Sequence, residues 1–385
     1  MKTAILTAPR AWLGARAIPL LSLMSLAAAS RADGQVSVDI RGSTLFEAYE
    51  LSQSQGSIDR VSELSLPVTM NATFGRRVTV TVATGYARVT ASNLGGETSS
   101  VKGVLDTEAR LALEAVPDRV AFFTTATLPT GLESLEQSEL PALGLLASDV
   151  IGFSAPNLGG GGAVGGGIAV TAPAGRMAVG AAASFTASGS FQPVQGQIGE
   201  FRPGGELRLR LGIEGPVARR SFLRVSGIYA RRGEDRTNDQ PHASVGDRIS
   251  GYVSLNQGVG STTLTVYAFD LYRSAAGVEL TAVGPSFLNR GNVFAGGATW
   301  SIPLANATRL TPRVELRDSR AETGEAQGGL ERLGTTTRFG IDLRQGIGPT
   351  SALVLRADRL SGSLGGDPGL DLTGYRLALQ LEVRP

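Results

Sequence analysis

The chain has 385 residues, 42% hydrophobic and 18% charged, with a mean hydropathy of +0.06. That is too low for a bundle of membrane helices, and no internal run approaches the roughly 20 apolar residues that one such helix needs. With no Cys and a single His, His242, the chain offers no disulfide frame, no thiolate metal site and little for a His-based zinc or Ser-His-Asp site; no cofactor or metal is expected.

The first 32 residues read as an export signal. Lys2, Arg10 and Arg16 form a positive lead, residues 17–29 an apolar run too short for an anchor, and Ser30-Arg31-Ala32 the small-residue site that a signal peptidase reads. Cleavage after Ala32 leaves a mature domain of 33–385. It removes Lys2, Arg10, Arg16 and Arg31 and no acid, so the formal charge goes from +2 to −2. The basic isoelectric point therefore describes the precursor, and no nucleic-acid partner is expected.

From there on, short segments of alternating apolar and polar residues recur to the C-terminus. The expected strands are Val36–Glu47, Val61–Phe74, Arg77–Ala91, Ser100–Ala115 and Arg119–Thr130, then, past a long insertion, Ala163–Ala172 and Met177–Ser190. The second half continues with Glu206–Glu214, Ser221–Arg231, Arg248–Asn256, Thr262–Arg273, Asn292–Ile302, Leu310–Ser319, Thr335–Gln345, Ala352–Leu360 and Leu370–Val383. Tight turns carrying Gly, Pro, Asn or Asp (Gly75-Arg76, Pro117-Asp118, Gly215-Pro216, Gly348-Pro349) alternate with longer polar connections such as 232–247, 275–290 and 320–334.

If the N-terminus starts in the periplasm, every tight turn is periplasmic and every long loop is outside. That parity predicts an all-β, antiparallel up-and-down transmembrane barrel of about 16 strands, with 14 as the alternative count, in the outer membrane of a diderm bacterium. Phe339, Ile341 and Leu343 oppose Arg338, Asp342 and Arg344; Tyr375, Leu377, Leu379 and Leu381 oppose Arg376, Gln380 and Glu382. A charge on the lipid side costs roughly 2–4 kcal/mol at midplane, so the charged face is expected to be wet. Phe74, Phe222, Tyr229, Tyr272 and Tyr375 are candidates for interfacial girdles.

The longest connection, 131–162, lies between the fifth and sixth strands. Leu132, Leu135, Leu140, Leu143 and Leu146 at helical spacing suggest a short helix, followed by a glycine-rich return. A long loop at this position resembles the inward-folded constriction loop of 16-stranded general porins. The resemblance implies that loop acids face a cluster of arginines on the barrel wall. Here the loop acids would be Glu133, Glu136, Glu139 and Asp149, and the wall Arg313, Arg317, Arg338, Arg344, Arg356 and Arg376. The competing arrangement is local pairing of those arginines with Glu315, Asp342 and Asp358.

The expected function is passive diffusion of small solutes with weak ion selectivity, because interior acids and arginines nearly balance. Outer-membrane lipids and small solutes are the expected partners, with a homo-oligomer open. The apolar loop also resembles the mouth of outer-membrane fatty-acid and aromatic-hydrocarbon transporters, which implies greasy substrates. A structural or adhesive barrel with partner-binding loops is the third reading. An enzyme ranks last, since His242 stands alone in a polar loop. The C-terminal aromatic usual in porins is missing from Leu381-Glu382-Val383-Arg384-Pro385.

Overall fold

A computed structural model describes residues 36–52, 59–93, 96–132, 134–140, 142, 158–196, 199–275, 290–322, 329–365 and 370–384. The expected signal at 1–32 lies outside them, as does the side chain of His242.

The chain closes into an antiparallel barrel of 16 staves. In chain order the strands are β1 (Val36–Ser52), β2 (Arg60–Phe74), β3 (Val78–Ser92), β4 (Thr98–Val104), β5 (Thr107–Val116), β6 (Val120–Leu128), β7 (Ala163–Ala174), β8 (Met177–Ser188), β9 (Phe201–Arg202) and β10 (Glu206–Ala218). They continue with β11 (Ser221–Arg232), β12 (Glu234–Thr237), β13 (Gln240–Ser244), β14 (Arg248–Val259), β15 (Thr262–Arg273), β16 (Gly291–Ala305), β17 (Thr308–Ala321), β18 (Glu331–Gly346), β19 (Ser351–Leu364) and β20 (Leu370–Val383). β1 pairs with both β2 and β20, which seals the sheet and leaves no edge to aggregate.

β4 and β5 are one stave interrupted at Leu105-Asp106, where the sequence suggested an unbroken strand. β9, β12 and β13 form a separate three-stranded sheet in the long connections, built of segments too short and polar to read as strands. The loop expected to hold a short helix carries a 3-10 turn at Gln137–Glu139 followed by α-helical residues at Leu140 and Ala142 in its described part.

One end of the barrel has only tight turns. Gly75 and Gly260 take φ of 61° and 60° there, and Asp118 takes 57°, the left-handed values these reversals need. The other end carries the long connections. The rim is uneven: β1 and β18 run 17 and 16 residues, whereas β6 runs 9.

Register fixes the faces. Leu111, Leu113, Phe122, Leu211, Ile341 and Leu379 all project outward and are exposed, and together with their neighbours they make an apolar belt. Water would not tolerate that belt. Only strands closed into a barrel can sit in lipid without unpaired backbone groups, so this is a membrane-spanning barrel. Of the girdle candidates, Phe74, Tyr229, Tyr272 and Tyr375 share the outward register; Phe222 shares the register of Arg224 and faces the lumen.

Candidate functional site: the barrel lumen

The inward face divides into two unlike walls beneath a plugged mouth. On the first wall, β17–β20 and β1 carry arginines and acids among their inward positions, so opposite charges meet across neighbouring strands. Arg376 Nη2 donates to Glu47 Oε2 at 2.7 Å, and the Tyr49 hydroxyl donates to the same oxygen at 2.6 Å. Glu47 is fully buried, and so is Glu63, its partner in register on β2.

Next along the wall, Arg313 forks onto the Asp358 carboxylate (Nε to Oδ1, 2.7 Å) and lies 3.6 Å from Asp342. Arg356 grips Asp342 with two parallel bonds of 2.9 Å. Arg317 and Arg338 approach Glu315 at 3.6 and 3.9 Å, and Glu315 also accepts from the Tyr267 hydroxyl at 2.8 Å. Arg344 reaches Glu382 at 3.1 Å. Removing charges from water is costly, and multiple partners with bidentate geometry are what offset that cost.

Directly above Glu47 and Glu63 the inward face turns apolar. Tyr49, Leu51, Val61, Val89, Val101, Leu360 and Leu372 point into the mouth and are packed by Leu132, Leu135, Ala142 and Leu158 of the long loop. The loop's two stems are tied to the wall through one side chain. Asp106 accepts from the Gly131 N–H through Oδ1 and from the Gly160 N–H through Oδ2, each at 2.9 Å. The stems also bond to each other, Leu132 N–H to the Leu158 carbonyl at 3.1 Å. Only glycine fits at this crossing: a Cβ on Gly131 or Gly159 would come within 2.5 Å of a backbone carbonyl oxygen of Leu158 or Leu132. This explains the break in the β4–β5 stave, because Asp106 turns from the strand to hold the loop.

The second wall, β5–β8 with β10 and β11, is built of small residues. A cavity of about 850 Å³ lies against it. Thr125, Thr127, Ala182, Ser184 and Thr186 line it, with glycines among the neighbours in register, so Phe123 is the one large side chain that β6–β8 bring to it. Its charges lie at the sides. Arg110 stacks over the Phe123 ring at 4.6 Å, Arg224 pairs with Glu214 at 2.6 Å, and Glu206 takes both Arg208 and Arg248.

All six arginines named from the sequence therefore sit together on β17–β20 and point inward. Among the described residues their ion partners are wall acids: Glu47, Glu315, Asp342, Asp358 and Glu382. Glu136 and Glu139 sit at the 3-10 turn, where the Glu136 N–H donates to Glu139 Oε2 at 2.8 Å; Glu136 is exposed and Glu139 half-buried. Glu133 and Asp149 lie outside the described residues. Sequence reasoning missed Asp106, Glu47 and Glu63. Asp106 had a signal, a poor strand former interrupting a strand pattern between Gly103 and Gly131. Glu47 and Glu63 had none, since β1 meets β20 across the closure of the barrel.

No protein-family model and no curated protein sequence matches the chain. Solved structures resemble it at low identity. They include OccK5 (OpdH) of Pseudomonas aeruginosa, at 10% identity with TM-score 0.48 over 91% of this chain and 98% of that one. The outer membrane protein OmpT of Vibrio cholerae, in a loop-deletion form, matches at 11% and 0.43 over 91% and 100%. The translocator domain of the autotransporter NalP of Neisseria meningitidis matches at 12% and 0.37 over 96% of each chain.

Proposed function

We propose that this barrel is an outer-membrane channel for passive diffusion of small polar solutes. The observation that carries the reading is the cavity against the small-residue wall. It is spacious at about 850 Å³, mixes hydroxyl and charged side chains with small apolar ones, and lies on the side of the lumen away from the described leucines of the loop. A barrel of this strand number leaves an aqueous interior unless something fills it. Among the described residues the filling is one-sided. Solutes pass along β5–β8, and the paired charges of the opposite wall set up a transverse field that polar molecules tolerate better than apolar ones. Weak ion selectivity follows from the near balance of Arg110, Arg208, Arg210 and Arg224 against Glu108, Glu206 and Glu214 around the passage.

One observation favours a second reading, transport of hydrophobic compounds: the apolar cluster at the mouth could receive a greasy ligand in place of Leu132 and Leu158. Liposome swelling separates the two. Vesicles carrying the refolded mature barrel swell in small sugars if the channel reading holds. No swelling, together with saturable binding of a long-chain fatty acid, overturns it.

A further inference from the structure

On the outer surface near the long-connection end, Arg88 of β3 and Lys102 of β4 stand directly opposite each other in register and are both exposed. Both have the outward parity of Leu64 and Leu66. Residues so placed have Cβ atoms about 5 Å apart, and like charges there destabilise the sheet. Among the described residues no acid pairs with either.

The same belt shows how the chain meets such a cost elsewhere. Arg320 and Arg332 also stand opposite each other, and Asp318 bridges them at 2.7 and 3.0 Å. Arg88 and Lys102 lack that anion. The surroundings are ready for one. Above them Ser62, Thr90 and Ser100 form a row of hydroxyls across three strands, Thr90 bonding Ser100 at 3.4 Å. Below them Tyr86, Val104 and Leu66 begin the apolar belt. A group that is anionic at the top and acyl beneath fits this order.

We propose that Arg88 and Lys102 form a docking site for a phosphorylated lipid headgroup of the outer leaflet, the phosphate taking the place that Asp318 fills between Arg320 and Arg332. The site rests on the outer-membrane orientation proposed above, which puts the long connections outside. It is independent of the pore, so a barrel that conducts ions but ignores phosphorylated lipid headgroups would fail this proposal alone.

Lys102 is the one lysine of the chain after Lys2, so its acetylation is read on a single peptide, apart from that of the N-terminal α-amine. The experiment uses the refolded mature barrel in detergent micelles with diphosphorylated lipid A as probe. Lipid A should protect Lys102 from acetylation, whereas its dephosphorylated form and inorganic phosphate at equal concentration should not. In native mass spectrometry the double variant R88Q/K102Q should hold diphosphorylated lipid A about 10- to 30-fold more weakly, and R88K/K102R should hold it as the parent does. Equal acetylation with both lipids, protection by inorganic phosphate alone, or unchanged retention by R88Q/K102Q overturns the proposal. So does a change of oligomeric state in R88Q/K102Q without loss of bound lipid, which would assign the face to a second copy of the chain. The protection measurement stands even if the double variant does not refold.

Discussion

The two walls of the lumen solve the same problem in opposite ways. β17–β20 and β1 fill their side with long charged residues and satisfy them by mutual pairing, from Arg376–Glu47 through Arg313–Asp358 to Arg356–Asp342. β6–β8 avoid the problem with Thr, Ser, Ala and Gly, which bury no charge and leave open space. A lumen built wholly in the first manner would be sealed by its own salt bridges. One built wholly in the second would be wide and unselective. The asymmetry puts structural cohesion on one side and passage on the other, and Asp106 ties the loop in place where the stave bends.

The contrast can be broken most severely at Arg376. Arg376→Ala takes the arginine from the fully buried Glu47 carboxylate, and breaking a buried pair costs about 3–5 kcal/mol. Denaturant unfolding of the refolded barrel should show that loss, whereas Thr125→Ala on the other wall should stay within about 0.5 kcal/mol.

Asp106 comes next. Asp106→Ala orphans two backbone N–H groups, worth about 1–3 kcal/mol. It should also raise single-channel conductance and expose the loop to protease. Asp106→Asn, which keeps one acceptor oxygen, should do less of all three.

Adding bulk to the open wall sharpens the division. Ala182→Trp should lower conductance about two-fold with little effect on stability, because β8 has room there. An unchanged conductance would move the passage elsewhere.

The smallest effect is expected at Arg224. Its bridge to Glu214 is half exposed, so Arg224→Gln should cost no more than about 1 kcal/mol. The reversal potential in a salt gradient should nonetheless shift toward cation preference.

The staves were legible because their signal is local. Period-two alternation such as Arg338-Phe339-Gly340-Ile341-Asp342 assigns each side chain a face without knowledge of its neighbours, and tight turns at one end followed from Gly75, Asp118 and Gly260. Which arginine meets which acid was only partly legible. Asp342, Asp358 and Glu315 lie on adjacent strands and could be guessed, but Glu47 meets Arg376 from 329 residues away. The apolar mouth was hidden for a different reason. Val61, Val89 and Val101 occupy inward positions that alternation alone marks as wet, and they are dry because the loop's leucines cover them. The β9–β12–β13 sheet escaped notice because strands of two to five residues carry too little alternation to register.

The central claim is a lipid-facing exterior around a lumen that water crosses on one side. Planar-bilayer recording of the purified, refolded mature barrel tests it most directly. Discrete conductance steps, reduced in Ala182→Trp and enlarged in Asp106→Ala, are the predicted result; a membrane that stays electrically silent while heat-modifiable gel mobility shows the barrel folded would contradict it.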